Sequence, residues 1–328
     1  MRAAATAATF RPIDLAADVE AIVELLTDVN RHDQPGWFPS VAGLANDWSP
    51  SGTFKPDRDL QGLEVDGRLI GIGRHTWRER PAVVNHRLEI YVRPELRRQG
   101  HGSRLLEWAE ARARESVVAG EGGPADKPQQ FGGGGRDTEP FREFANARGY
   151  EAYRYHNEMR RPLADPVREA PLPEGLEVRP VLREHHRAIW DADEEAFRDH
   201  WDHAEPVEGD FERFFNDPNI DTSMWQVAWD GDQVAGLVIN SIVPVENEQT
   251  GELVGWLDSV ATRRPWRGRG LAGALIARSL GVLRERGMEI ASLGVDVENP
   301  TGALGLYESF GFRPRLRWAF YRKPFQLP

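Results

Sequence analysis

The sequence predicts two α/β domains in tandem, each a mixed twisted sheet with flanking helices. Three observations support this prediction: the chain is 328 residues long, its landmarks occur twice in the same order, and a proline-rich stretch separates the two sets. A chain of 328 residues suits two domains of about 150 residues each. We predict a first domain at 1–162, a linker at 163–175 and a second domain at 176–328.

The repeat is weak in identity but consistent in order. Each half has a helical stretch, an Asp-Gly hairpin turn followed by an apolar strand, a strand that runs into a basic glycine turn, an amphipathic helix and a final glycine–aromatic pair. Because one matching dipeptide means little and an ordered series means more, we interpret the chain as a duplicated fold. The paired segments, in that order, are 15–26 and 183–197, 69–72 and 234–239, 88–92 and 256–261, 103–116 and 273–286.

A glycine-rich run at 120–135 interrupts the parallel between the halves. It lengthens the first half between its glycine turn and its final landmark. We predict a mobile loop there, in the first half only.

Composition narrows the class of protein. The chain has no cysteine, which excludes disulfides and thiolate chemistry and is typical of a cytoplasmic protein. A net charge of −11 argues against general binding to nucleic acid or to an anionic membrane. Residues 1–5 start like a signal peptide but meet charged residues early, so we expect no cleavage. The basic patches at 93–98 and 263–269 suit a polyphosphate ligand.

The second glycine turn has the features of a phosphate site. It follows a predicted strand and opens a predicted helix, so glycine N–H groups and the helix's first-turn N–H groups point toward the same space. A tight turn with solvated arginines is the alternative for one such motif. Its occurrence in both halves favours the phosphate site; the two runs are Arg267-Gly268-Arg269-Gly270-Leu271-Ala272 and Arg97-Arg98-Gln99-Gly100-His101-Gly102.

These runs resemble the acetyl-CoA pyrophosphate loop of the GNAT acetyltransferase superfamily. The segment 296–312, which ends Leu306-Tyr307-Glu308-Ser309-Phe310-Gly311-Phe312, resembles that superfamily's next motif. Asn299, a candidate contact for the pantetheine arm, lies one residue further from Tyr307 than is usual, with Pro300 in its place. The resemblance covers nearly the whole chain and implies two tandem GNAT domains with acetyl-CoA as cosubstrate.

The resemblance also implies roles in the chemistry. Backbone N–H groups of Val260, Ala261 and Thr262 hold the thioester carbonyl, Tyr307 is the general acid, and Asp258 takes the amine proton. Because a thiol has a pKa near 8.5 and a tyrosine near 10, a strengthening hydrogen bond to sulfur is favoured over early proton transfer. The alternatives are that Tyr307 is a core aromatic residue and that Asp258 only orients substrate or pairs with an arginine.

Three other features have competing interpretations. His200 and His203 are spaced like a metal pair, but no clear third ligand follows, so we expect a polar substrate-side loop and no metal. Trp37, Trp48 and Trp201 can line an acceptor pocket or simply pack in a core. Of the arginines at 263–269, one or two suffice to bind phosphate.

The predicted function is N-acetyl transfer from acetyl-CoA to the primary amine of a small molecule, by a monomer or homodimer. Alternatives are a protein, peptide or antibiotic amine as acceptor, and a module that binds acyl-CoA without turnover. We expect the second half to be catalytic and the first to be degenerate, because Ala145 stands at the position of Tyr307. Glu89 remains as a possible base in the first half.

Overall fold

The computed structural model describes residues 7–34, 36–201, 203–299 and 302–327. The predicted uncleaved start at 1–5 lies outside the described residues. In chain order the elements are β1 (Thr9–Pro12), α1 (Leu15–Asp33), α2 (Val41–Asp47), α3 (Pro56–Asp59), β2 (Leu60–Val65), β3 (Arg68–Glu79), β4 (Val84–Val92), α4 (His101–Val118), β5 (Gln129–Arg136), α5 (Glu139–Asn146), β6 (Glu151–Pro162), β7 (Glu177–Arg179), α6 (His186–Phe197), α7 (Asp210–Phe215), β8 (Gln226–Asp230), β9 (Gln233–Ser241), α8 (Pro244–Thr250), β10 (Val254–Thr262), α9 (Leu271–Glu285), β11 (Ile290–Asp296), α10 (Ala303–Ser309) and β12 (Arg313–Phe325). Within the described ranges, no helix combines the length and the apolar character that crossing a membrane requires.

The chain divides into two compact units that do not follow its two halves. The first unit contains Met1–Tyr153, Ala204–Pro218 and Ala319–Pro328, and the second contains Arg154–His203 and Asn219–Trp318. Most of β6, which follows the first half's helices, therefore belongs to the second unit, and most of β12 belongs to the first. The borders at 162 and 175 describe the repeat in the sequence and stay a prediction.

The first unit is a sheet with helices on both faces. Its strands lie in the order β1-β2-β3-β4-β5-β12, mostly as antiparallel neighbours, with β4 and β5 parallel. On β3, Leu69 packs with residues of α1, whereas the next residue, Ile70, packs with Leu105 of α4. Successive strand residues point to opposite faces, so α1 and α4 cover the two sides of the sheet.

The second unit repeats this plan. Its strands lie in the order β6-β11-β10-β9-β8-β7, with β10 and β11 parallel and the other described neighbours antiparallel. Leu275, Ile276 and Leu280 of α9 form the centre of its hydrophobic core. The predicted fold class, mixed α/β sheets with flanking helices, is confirmed.

The prediction of a mobile loop throughout 120–135 is wrong, because Gln129–Arg136 forms β5. Two of its glycines have side chains packed closely against them. A Cβ at Gly132 would lie 2.5 Å from Oδ1 of Asn85, and one at Gly135 would lie 2.9 Å from the ring of Phe141. At these two positions a larger residue would require Asn85 or Phe141 to move.

The linker at 163–175 contains no helix or strand, as its prolines predict. It is nevertheless packed. Leu163 is buried, and Val167 and Leu172 lie against the core of the second unit. The linker therefore adds to the hydrophobic core of the second unit.

Candidate active site

Strands β10 and β11 separate after four paired residues. They pair in parallel from Val254–Leu257 with Ile290–Leu293, and the later part of each strand continues without the other. At the same point the pairing of β10 with β9 shifts by one residue between Leu257 and Ser259, a β-bulge at Asp258. Beyond the bulge β10 stays paired with β9, but its backbone groups on the side of β11 no longer have a partner strand. The predicted carbonyl-binding residues, Val260 to Thr262, lie in this segment.

The glycine turn follows β10 directly. Gly268 and Gly270 have φ angles of +73° and +83°, in the left-handed region that favours glycine. A Cβ at either glycine meets no atom within 4 Å, so the space above the turn is open. Helix α9 begins at Leu271, and the N–H groups of its first turn, including Ala272, have no intrahelical acceptor. The turn therefore presents backbone N–H groups and the positive end of a helix dipole to an open surface.

Most arginines of this basic patch are engaged within the protein. Arg263 pairs with Glu195 at 2.6 Å, and Arg264 pairs with Asp199. Arg267 donates to the carbonyl oxygens of Thr262 at 2.9 Å and of Ala196 at 3.0 Å. Its side chain therefore ties the turn to β10 and α6.

Arg269 is the exception in this patch. It is exposed, and no ion pair or hydrogen bond engages its guanidinium within the part of the chain that the structure describes. Of these arginines, Arg269 is the one whose charge is available to a phosphate.

Tyr307 lies on α10, in the hydrophobic core of the second unit. Its ring packs edge-on against Phe312, at 6.2 Å between centroids, and burial raises its pKa to about 12. Among the described residues, none hydrogen-bonds to its hydroxyl. Tyr307 thus has both the packing of a core aromatic residue and a hydroxyl available to a ligand. A pKa of about 12 favours hydrogen-bond donation to sulfur over complete proton transfer.

The other two predicted site residues, Asp258 and Asn299, lie on β10 and in the turn after β11. Asp258 is exposed at the bulge, which interrupts the strict alternation that the sequence predicts for Trp256, Asp258 and Val260. Asn299 lies in the turn after β11, where its N–H donates to the carbonyl oxygen of Asp296 at 3.2 Å. The departure at Pro300 lies outside the described residues.

The structure adds a carboxylate that the sequence analysis missed. Asp193 of α6 accepts a hydrogen bond from Oγ of Ser259 at 2.6 Å, next to the bulge. Burial raises its pKa to about 6. The sequence held a signal for this residue, because Asp193 falls on the apolar stripe of an amphipathic helix beside Ile189, Ala192 and Ala196.

A polar cluster gathers His156 of β6, His200 after α6 and Asp296 of β11. Their candidate ligand atoms lie within 4.8 Å of one another, so His200 has two potential co-ligands that are distant in sequence. The carboxylate of Asp296 already accepts from Arg154 at 2.7 Å and from the N–H of Glu298 at 3.0 Å. Because a guanidinium neutralises Asp296, the cluster suits a polar ligand better than a cation.

The first half has a related splay and turn. Strands β4 and β5 pair only from Val84 to Arg87 and from Gln129 to Gly132. The turn that follows β4 has φ angles of +61° at Arg98 and +87° at Gly100, and α4 begins at His101, followed by Gly102.

The side chains around the first turn match those of the second turn at one position and differ at two. Arg97 donates to the carbonyl oxygen of Val92 at 3.0 Å, as Arg267 does to Thr262. Gln99 stands where the second half has Arg269, and Ala145, at the tyrosine position, is buried. The first half therefore keeps the backbone of the site without a hydroxyl at the position of Tyr307.

Comparison with known proteins agrees with this geometry. The model of the acetyltransferase (GNAT) family matches residues 20–121 and 186–312. The chain belongs to the GNAT family. Both halves contain a family match, and GNAT enzymes use acyl-CoA cosubstrates, so the protein is an acyltransferase with an acyl-CoA cosubstrate.

Relatives and solved structures extend the comparison. A mycothiol acetyltransferase from Geodermatophilus obscurus is 31% identical over 258 residues, which cover 78% of this chain and 79% of that protein. A GCN5-related N-acetyltransferase from Sphaerobacter thermophilus superposes with a TM-score of 0.70 at 26% identity, over 98% of both chains. A tandem GNAT protein from the clavulanic acid biosynthesis pathway has a TM-score of 0.69 at 18% identity, over 97% of this chain and 98% of that one. The protein is therefore an N-acetyltransferase of the GNAT family.

Proposed function

We propose that the second half of the chain transfers the acetyl group of acetyl-CoA to a primary amine of a small molecule. The observation that supports this most directly is the presence of three features in one unit: the separation of β10 from β11, the open glycine turn and Tyr307 with a hydroxyl available to a ligand. Acetyl transfer needs a binding site for pyrophosphate, donors to a carbonyl oxygen and a donor to a departing thiolate. The glycine turn can supply the first, the backbone N–H groups of β10 beyond the bulge the second, and the hydroxyl of Tyr307 the third.

The described geometry supports the binding roles that we propose. The pyrophosphate lies against the N–H groups of the turn and the first turn of α9, and Arg269 adds a positive charge. The thioester carbonyl accepts hydrogen bonds from N–H groups in the segment Val260 to Thr262. The contacts Arg97, Arg98, Gln99, Gly100, His101 and Gly102 remain a proposal for a second coenzyme position in the first half.

The reaction then requires two proton movements. The ammonium group loses a proton to a carboxylate, and the nitrogen lone pair forms the C–N bond. The C–S bond breaks with its electron pair on sulfur, where the hydroxyl of Tyr307 donates a hydrogen bond to the departing thiolate, and solvent supplies the proton of the released thiol. Nitrogen loses its second proton to water. Asp258 is one candidate carboxylate because it stands at the bulge.

The acceptor is a small amine of the kind implied by the relatives' name, mycothiol acetyltransferase. The cluster around His156 and His200 contributes polar and aromatic surface, with ring centroids 5.7 Å apart for His156 and Trp201. A cytoplasmic location belongs to the same proposal and rests on the absence of cysteine from the sequence.

A panel assay tests the proposal. D-glucosamine, L-cysteinamide, spermidine and tryptamine are each incubated with the full chain and acetyl-CoA or propionyl-CoA. We expect amine-dependent thiol release with at least one amine, an equal amount of N-acetylated product by mass spectrometry, and slower reaction with propionyl-CoA. Thiol release that does not depend on any amine, or coenzyme binding without turnover, contradicts the proposal.

A further inference from the structure

Asp193 is a carboxylate in an unusual place. Helix α6 turns Ile189 and Ala192, both buried, toward the sheet, and Asp193 shares this face of the helix. Two other carboxylates of α6 lie in ion pairs: Asp191 pairs with Arg187, and Glu195 pairs with Arg263. A carboxylate on the apolar face costs folding free energy, so its presence there points to a functional reason.

The contact that Asp193 makes is with the splayed strand. Oδ1 of Asp193 accepts from Oγ of Ser259 at 2.6 Å, and Ser259 is the first residue after the bulge at Asp258. The neighbouring residues of β10 have already left β11. Asp193 therefore lies beside the backbone segment proposed to hold the thioester carbonyl, and none of the described residues donates to its Oδ2, which can accept from another proton donor.

The surroundings of Asp193 suit a proton acceptor. Its side chain is partly buried, so it is desolvated and still reachable. Burial raises its pKa to about 6, while the hydrogen bond from Ser259 acts in the opposite direction. The charged groups nearest along α6 and β10 are Glu194, Asp191, Glu195 and Asp258, and the pKa change comes from burial and Ser259, not from these groups. A carboxylate with such a pKa is ionised at neutral pH and is a stronger base than a solvated one.

We propose that Asp193 is the general base of the acetyl transfer. The ammonium group of the acceptor passes one proton to Oδ2 of Asp193, directly or through one water, and the freed lone pair forms the C–N bond as the C–S bond breaks. The proton then leaves Asp193 for solvent before the next turnover. This inference rests on the proposed function and specifies which side chain serves its first step.

Paired substitutions test this assignment. The assay uses acetyl-CoA and the most active amine of the panel of D-glucosamine, L-cysteinamide, spermidine and tryptamine. Asp193→Asn retains the acceptor for Ser259 and removes the base, so we expect kcat/KM to fall about 100-fold or more. Asp191→Asn, on the exposed side of the same helix, is the matched control and should retain parental kcat/KM.

The pH profile provides a readout that a structural role does not move. In the parent, kcat/KM should fall as the pH drops through about 6, where Asp193 becomes protonated. Ser259→Ala removes the hydrogen bond that lowers this pKa, so the acidic limb should move to higher pH. Asp193→Asn should lose the limb.

Stability provides a second measurement. The folded pKa of Asp193 lies above its unfolded value, so its ionisation destabilises the folded unit as the pH rises through about 6. Asp193→Asn should therefore raise the melting temperature relative to the parent at pH 8 more than at pH 5.

Each outcome decides between the two proposals. A parent that releases no thiol with any amine removes the proposed function and the role of Asp193 with it. If the parent is active and the kcat/KM of Asp193→Asn stays within about threefold of the parent's, the assignment of Asp193 alone is overturned. The same holds if this variant keeps the acidic limb of kcat/KM near pH 6. If Asp258→Asn removes the limb and Asp193→Asn does not, Asp258 is the base.

Discussion

The two glycine turns share a backbone and differ in their side chains. Both have two residues in the left-handed region, but the first of these is Gly268 in the second half and Arg98 in the first half. The exposed Arg269 corresponds to Gln99. Because the backbone supplies the N–H groups, the first turn retains the shape of a phosphate site, while the second adds an available positive charge.

The strands that lead to the turns differ more. Strand β10 contains a bulge, whereas β4 pairs with β3 in one uninterrupted register from Val84 to Val92. Counted from the strand's start, Glu89 occupies the position of Ser259. Arg74 and Arg87 donate to Glu89 at 2.8 and 2.9 Å, and these arginines hold its pKa below the usual range. A carboxylate held by two arginines is a poor base, so we infer that the first half retained the scaffold and not the chemistry.

The largest expected difference concerns the turns themselves. Gly270→Glu adds a negative charge where phosphate oxygens approach, so acetyl-CoA affinity and turnover should nearly disappear. Gly100→Glu is a matched control, because its φ of +87° resembles the +83° of Gly270 and both sites have open space around an added Cβ. The backbone strain, about 1–2 kcal/mol, is therefore similar in the two variants.

Calorimetric titration with acetyl-CoA and initial rates check this pair, with melting curves to establish that both variants fold. We expect Gly100→Glu to retain most of the turnover. The reverse pattern, with Gly100→Glu inactive and Gly270→Glu active, places catalysis in the first half.

The next difference is Tyr307 against Ala145. Tyr307→Phe retains the ring contact with Phe312 and removes the donor to sulfur, so kcat should fall about 10²–10⁴-fold with acetyl-CoA binding nearly unchanged. Tyr150→Phe is the control in the first half: it removes a hydrogen bond to Glu110 at 2.9 Å and should lower the melting temperature without changing kcat. A loss of less than about threefold for Tyr307→Phe reduces this residue to a core aromatic.

Sequence patterns predicted the features that repeat and missed those that depend on partners. The turns, the strands before them and the aromatic residue at Tyr307 follow local rules of spacing and turn chemistry. The bulge at Asp258 is set by pairing with β9, which no local pattern records. The strand at Gln129–Arg136 was missed because glycine is rare in strands, and its role became visible only with neighbours such as Asn85.

The assignment of strands to units was missed for a related reason. The repeat in the sequence indicates that each half closes with its own final strand. Strand β6 instead pairs with β11 from Pro162 and Ile290 to His156 and Asp296. Antiparallel pairing requires only a compatible strand edge, and the sequence does not state which half supplies it.

The first unit should lose stability in acid because of a buried histidine. In the first unit His75, His86 and Gln129 form a buried chain, with 3.0 Å between the two imidazoles and 2.9 Å from His86 to Gln129. Burial lowers the pKa of His86 to about 4. The unfolded chain therefore binds a proton at His86 near pH 6.5, whereas the folded unit binds it only near pH 4. The free energy of unfolding consequently decreases as the pH falls from about 6.5 to about 4.

His86→Gln tests this effect, because glutamine can replace both hydrogen bonds and does not titrate. The loss of stability between pH 7 and pH 4 should be about 3 kcal/mol smaller in this variant than in the parent. Urea denaturation at the two pH values, followed by hydrogen exchange of β3 and β4, measures the difference. An unchanged loss between the two pH values contradicts the role of His86.

The smallest expected effect concerns Arg269. Arg269→Gln gives the second turn the side chain of the first, since Gln99 occupies that position. The loss of one exposed charge near a pyrophosphate should raise the KM for acetyl-CoA roughly three- to tenfold and leave kcat unchanged. Raising the ionic strength should raise the KM of the parent for acetyl-CoA toward that of the variant, because salt screens an exposed charge.

The reciprocal change, Gln99→Arg, completes this comparison. It should leave the KM for acetyl-CoA unchanged if only the second half is catalytic, since it adds the charge to the other turn. If both substitutions leave KM unchanged, the backbone N–H groups alone hold the pyrophosphate. If Gln99→Arg lowers KM, the first turn takes part in the measured reaction, and Ala145 then shows that this fold can transfer acetyl groups without a tyrosine beside the sulfur.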